Sequence, residues 1–121
     1  MAKRTVLVVD DDPATCEIVQ MALEDEGYRV LRADDEPGIA AALLEKPDLI
    51  LLDVFLPVID STAVSRRLRA DVDTSSIPII VMSAAGETVM GRLDADEHLA
   101  KPFDLDDLAA TVRRWAPNPL A

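Results

Sequence analysis

Leu49-Ile50-Leu51-Leu52 is a run of four bulky apolar residues, closed by Asp53 and then by Pro57. No polar position interrupts it, so a strand here must be covered on both faces. The middle of a parallel sheet, with helices on either side, meets that demand. Asp53 then stands at the carboxyl end of the strand, and Pro57 stops the ladder soon after. In open parallel sheets the crevice beyond those ends is where ligands bind. An aspartate in this position often only caps the following turn, so its meaning depends on what the other strands bring beside it.

Taken in order, the chain alternates strand and helix. Thr5–Val9 is a second buried strand and runs into Asp10-Asp11-Asp12-Pro13. Pro13 suits the first position of a helix with Asp12 as its N-cap. Ile18, Val19, Ala22 and Leu23 fall on the inner face of that helix, and Gly27 ends it. Tyr28–Ala33 reads as a short edge strand. A second helix, capped by Asp34 or Asp35, carries an apolar stripe of Ile39, Ala40, Leu43 and Leu44 and closes at Lys46-Pro47. After the central strand, a third helix spans Thr62–Ala70, with Ala63, Val64, Arg67 and Leu68 inside and Ser65, Arg66 and Arg69 outside. Ile77–Met82 is the fourth strand, with Pro78 near its start. Glu87–Leu93 has room for two helical turns at most. Glu97–Ala100 is the fifth strand, and Leu105–Trp115 the last helix, with Leu108, Val112 and Trp115 on one stripe. Five alternations predict a doubly wound α/β sandwich. It forms a single domain over residues 1–121, with a core from about 4 to 116 and a short tail at 117–121.

Composition narrows the function. The chain has 121 residues, half of them apolar, and a net charge of −11 from 23 acids against 12 lysines and arginines. Such a surface repels phosphate backbones and anionic membranes, and favours cationic partners or a metal site. The one cysteine, Cys16, permits no intrachain disulfide and suits a reduced, cytoplasmic setting; on its helix it reads as a partly buried small residue. No stretch reaches the length of a membrane span.

The polar residues that close the strands should converge. Asp10 and Asp11 end the first strand, Asp53 the third, Ser83 the fourth and Lys101 the fifth, all at one edge of the sheet. Carboxylates so gathered repel one another, and a hard divalent cation relieves the repulsion. Mg²⁺ fits best, because it takes one or two carboxylates and keeps its other sites for water and phosphate oxygens. A cation, an open carboxylate and a lysine around one point suit phosphoryl transfer.

The sequence Val8-Val9-Asp10-Asp11-Asp12-Pro13, Leu51-Leu52-Asp53 with Pro57, Val81-Met82-Ser83-Ala84 and Lys101-Pro102-Phe103 resembles the receiver domain of two-component response regulators, over nearly the whole chain. The resemblance implies a five-stranded flavodoxin-like sheet of order 2-1-3-4-5 with helices on both faces. It implies that Asp53 accepts a phosphoryl group from a histidine kinase or histidine phosphotransfer protein, in a phosphorelay and not as an enzyme. Mg²⁺ would be held by Asp10, Asp11, Asp53 and the backbone carbonyl of Phe55. Ser83, Ala84 and Lys101 would bind the phosphoryl oxygens, Ser83 and the residue at 98 would form the switch, and the Lys101–Pro102 peptide would be cis. The signal would pass to a downstream protein target, without direct nucleic-acid contact and without membrane insertion.

Three features depart from the family pattern. His98 replaces the usual Tyr or Phe, and burying an imidazole demands a partner for its N–H. It is therefore expected to stay partly exposed. The interval from Ser83 to Lys101 is about one helical turn short, so the fourth helix is shortened. Leu56 and Ser61 stand where Met and Gly are common, and Ser61 should stiffen its turn. Two other functions are compatible with parts of the chain. One is a receiver-like interaction module that works without phosphate. The other, built on Asp10-x-Asp12, is a haloacid-dehalogenase-type phosphohydrolase with Asp10 as nucleophile.

Overall fold

The computed structural model describes residues 3–54, 60–83 and 95–117. Five strands, β1 (Thr5–Val9), β2 (Arg29–Ala33), β3 (Leu49–Asp53), β4 (Ile79–Ser83) and β5 (Glu97–Ala100), form one sheet of order β2-β1-β3-β4-β5. Every neighbouring pair is parallel. The described helices are α1 (Pro13–Asp25), α2 (Glu36–Leu43), α3 (Ser61–Ala70) and α4 (Leu105–Trp115). The shortened helix expected between β4 and β5 falls on residues 84–94, outside the described residues.

Alternation along the central strands divides the core into two layers. Val6, Val8, Leu49, Leu51, Ile80 and Met82 face α1 and α4, packing on Val19, Leu23, Leu108 and Val112. Leu7, Val9, Ile50, Leu52, Ile79 and Val81 face α2 and α3, packing on Ile39, Ala42, Val64 and Leu68. The uninterrupted apolar run of β3 is thus explained by burial on both faces. Each of its leucines, wholly buried, contributes about 2 kcal/mol by leaving water.

Short polar residues set the helix starts. Asp12, Asp35, Asp60 and Asp104 cap α1, α2, α3 and α4, each carboxylate accepting a backbone N–H of the first turn. Gly27, at φ 92°, takes the left-handed turn that lets the chain leave α1 for β2. The Tyr28 hydroxyl donates to the Ala116 carbonyl at 2.7 Å, so the start of the edge strand is tied to the end of α4. Trp115 packs against the α1–α4 layer, and its indole N–H donates to Glu97 on β5.

Several inner faces differ from the sequence reading. Ile18 is 52% exposed, and on α1 its place in the core is taken by Cys16. On α2 the buried residues are Ile39 and Ala42, while Ala40 is exposed and Leu44 lies beyond the helix in solvent. A short helix with apolar residues nearly all round offers no strong stripe, so the face turned to the sheet is set by how the helix packs. On α3, Ser65 is buried and Arg67 exposed. The Ser65 hydroxyl donates to the Thr62 carbonyl within the helix, which removes the cost of burying it. Arg67 turns out to pair with Glu36. β4 begins at Ile79 and extends to Ser83, later at both ends than the apolar run suggests.

Candidate functional site

The sheet order reverses across β1, which has β2 on one side and β3 on the other, and this opens a crevice at the carboxyl ends. Strand alternation decides which side chains enter it. Asp53 continues the face of Leu49 and Leu51, Asp10 that of Val6 and Val8, and Lys101 that of Leu99. All three emerge on the α1–α4 side. Asp10 and Asp53 are buried. One carboxylate oxygen from each of Asp10, Asp11 and Asp53 lies within 4.8 Å of the others.

The Lys101 ammonium bridges two of these acids, donating to Asp10 Oδ2 at 3.0 Å and to Asp53 Oδ2 at 3.2 Å. Burial alone would lower its pKa, but the hydrogen bond to Asp10 and the charges of Asp53 and Asp10 outweigh it and raise the value above the ordinary lysine range. The other oxygen of Asp10 accepts the Asp12 N–H at 3.0 Å, and the Cys16 thiol donates to the Asp10 carbonyl. Asp10 is thereby fixed from three directions. Cys16 is more deeply buried than the sequence suggests, and burial pushes its thiol pKa up, which makes it a packing residue.

Asp12 is absorbed by α1. Its carboxylate accepts Ala14 N–H and the Thr15 hydroxyl, and the bond from Thr15 holds its pKa below the ordinary carboxylate range. With Asp12 occupied as a cap, the dehalogenase-type alternative is not favoured. Ser83 closes β4 on the opposite face, buried. Its carbonyl accepts the Lys101 backbone N–H at 3.1 Å and lies 3.2 Å from His98 Nε2. His98 is half-buried, in keeping with the partial exposure its polarity demands. The Lys101–Pro102 peptide is cis. Phe55 and Ala84 lie outside the described residues.

The structure adds two features that the sequence reading missed. The Ser61 hydroxyl, buried at the start of α3, donates to the Asp53 carbonyl at 2.7 Å. A polar residue at the first position of a helix, just after the central strand, was the available signal. The second is an apolar groove of about 390 Å³ beside the crevice, lined by Thr15, Ile18, Val19, Lys101, Pro102, Phe103 and Leu105. Ile18 and Leu105 are exposed there at 52% and 45%.

The family model of the response regulator receiver domain matches residues 6–113. The chain belongs to this family. It is 40% identical over 114 residues to the DNA-binding dual master transcriptional regulator RpaA of Synechocystis, covering 89% of this chain and 47% of that protein. It is 35% identical over 112 residues to the protein PilH of Pseudomonas aeruginosa, covering 88% of this chain and 93% of that one. The chain spans about half the length of most of the curated relatives it matches first. Among solved structures, the chemotaxis protein CheY4 of Vibrio cholerae superposes with a TM-score of 0.84 at 28% identity, over 94% of this chain and 99% of that one. The receiver domain of the sensor histidine kinase PA1611 of Pseudomonas aeruginosa, with a magnesium ion coordinated in its active site cleft, gives 0.81 at 31% identity, over 94% and 98%. Both superpose over 94% of this chain and so share its fold. Among the described residues no helix is long and apolar enough to cross a membrane.

Proposed function

We propose that this receiver domain takes a phosphoryl group on Asp53 from a phosphohistidine carried by a kinase or phosphotransfer protein. The observation that carries the reading is the Lys101 ammonium set between Asp10 and Asp53, 3.0 and 3.2 Å from their oxygens, with Asp11 close beside them. An Asp53 oxygen attacks phosphorus, and the P–N bond breaks with its electron pair passing to the imidazole nitrogen. Lys101 gives up its bond to Asp53 and follows the charge onto a phosphoryl oxygen, keeping Asp10 as its anchor. The Ser83 hydroxyl and the Ala84 N–H receive the remaining oxygens.

The donor set is all oxygen, hard and closely spaced, and it fits a small divalent cation. Asp10, Asp11 and Asp53, with the Phe55 carbonyl, are the groups that would hold Mg²⁺, which when bound supplies positive charge against the transferred phosphoryl oxygens. The apolar groove formed by Ile18, Phe103 and Leu105 opens beside Lys101 and suits the apolar flank of the donor protein, since the histidine must be delivered within reach of Asp53. The phosphorylated domain then signals by docking to a protein target, in the cytoplasm. Retention of the three acids, Ser83 and Lys101 favours this reading over a phosphate-independent module. The test is intact-protein mass analysis after treatment with acetyl phosphate and Mg²⁺, on wild type and Asp53→Asn in parallel. A single phosphoryl adduct on wild type and none on the variant is expected. An adduct of equal yield on Asp53→Asn would exclude Asp53 as acceptor.

A further inference from the structure

Two of the residues that depart from the family pattern, Ser61 and His98, do the same thing at neighbouring strand ends. Ser61 Oγ donates to the carbonyl of Asp53, the last residue of β3, at 2.7 Å. His98 Nε2 lies 3.2 Å from the carbonyl of Ser83, the last residue of β4. A carbonyl can only accept, so the ring nitrogen facing it must carry the proton. The Ser83 carbonyl also receives the Lys101 backbone N–H at 3.1 Å, so both of its lone pairs are engaged, one from β5 and one from the residue just after it. In register, His98 pairs with Val81 and Ala100 with Ser83; the ring therefore reaches forward two residues along the sheet edge to make its contact. β5 and the residue that follows it thus work on both faces of the sheet. Lys101 holds the acids on one face, and His98 holds Ser83 on the other.

We infer that Ser61 and His98 are positioning residues for phosphoryl transfer: they pin the strand-end carbonyls of Asp53 and Ser83, and so fix the acceptor carboxylate and the Ser83 hydroxyl at a set separation before the phosphoryl group arrives. This rests on the reading of Asp53 as acceptor and adds to it that residue 98 acts as a stationary clamp. A clamp already in place has no need to rotate on activation. The Ser61 hydroxyl is buried with its residue, where it has no reason to leave its acceptor. His98 is only half-buried, so water can satisfy its second nitrogen.

Two measurements separate this from a structural role. The first needs no phosphoryl group: long-range ¹H–¹⁵N NMR of the metal-free wild type should show one neutral tautomer, protonated at Nε2. A ring protonated at Nδ1, or an averaged mixture, overturns the clamp at His98 whatever Asp53 does. The second is the rate of phosphoryl uptake from acetyl phosphate at saturating Mg²⁺. Loss of one positioning hydrogen bond should lower the maximal rate about threefold to tenfold in H98F and in S61A, with the half-saturating phosphodonor concentration unchanged. H98Q places an amide N–H where Nε2 stood and S61T restores the hydroxyl, so both should recover most of the rate. The inference is overturned if H98F and S61A, folded by circular dichroism, match wild type, or if H98Q and S61T are as slow as they are. Complete absence of phosphorylation in wild type would instead remove the acceptor reading, with the tautomer result standing on its own.

Discussion

The two ends of the sheet's strands handle their acids in opposite ways. At the amino-terminal edge, Asp48 accepts the first N–H of β1 at 2.8 Å and pairs with Arg4. Asp96 accepts the first N–H of β4 at 2.8 Å and pairs with Arg69, which also donates to the Ser75 and Ile77 carbonyls. Each acid there has an arginine of its own and a strand amide. At the carboxyl edge, among the described residues, Asp10, Asp11 and Asp53 face one cation, Lys101. Among those residues one edge is balanced, and the other holds surplus negative charge in a crevice. A surplus of that kind costs stability, and a bound cation would relieve it. The contrast separates acids paired one to one with arginines from acids gathered closely enough to hold a metal ion.

The largest effect is expected at the unbalanced edge. Lys101→Met leaves Asp10 and Asp53 without their cation, and should cost about 3 kcal/mol in the metal-free protein. Urea unfolding should show that loss shrinking as Mg²⁺ is added, because the ion replaces the missing charge. A metal-independent loss would mean that Lys101 acts as packing and that the acids are not a cation site. At the balanced edge, Asp96→Ala removes the carboxylate that accepts from Arg69 and from the Ile79 N–H, and should cost about 2 kcal/mol. Calorimetric Mg²⁺ affinity should stay at the wild-type value. If affinity fell together with stability, the two edges would not be separable.

Asp104→Ala removes only the N-cap of α4 and should cost about 1 kcal/mol in urea unfolding, with phosphoryl uptake from acetyl phosphate unaffected. It calibrates what a purely structural acid is worth in this fold. The smallest effect is the alkaline one. The pKa of Lys101 is raised in the folded state above its ordinary 10.5, so its stabilisation is complete below that value and is lost as pH rises through the raised one. The urea midpoint of wild type should therefore fall more steeply above about pH 10.5 than that of Lys101→Met. Parallel slopes would remove Lys101 from the charge balance of the crevice.

Much of the site was legible because its parts are local. Asp10, Asp53 and Ser83 each stand at the end of an apolar run, and Lys101 just past one; strand ends gather at one edge in any doubly wound sheet. The first cap was legible for the same reason: Asp12 precedes Pro13, and a side chain reaching its own helix needs no tertiary contact; at the second helix the sequence left Asp34 and Asp35 open, and the structure uses Asp35. The last helix and the fifth strand were read to the residue at Leu105–Trp115 and Glu97–Ala100. Where the reading failed, the choice was made by neighbours. Ile18 looks like a core residue by spacing, but α4 and the turn before it leave it at a groove. Arg67 and Ser65 exchanged places because Glu36 on another helix offers Arg67 a partner.

By itself the sequence determined the period of each element, its start, and the residue types at each strand end, since these depend on side chains within a few positions of one another. Only the tertiary structure decided which faces were used and which carbonyls were held. Ser61 on the Asp53 carbonyl, His98 on that of Ser83, and Tyr28 reaching 88 positions along the chain to Ala116 are hydrogen bonds between segments brought together by folding. Their donors carry no mark in the sequence that names an acceptor, because a hydroxyl or a ring N–H bonds whatever carbonyl the packing delivers to it.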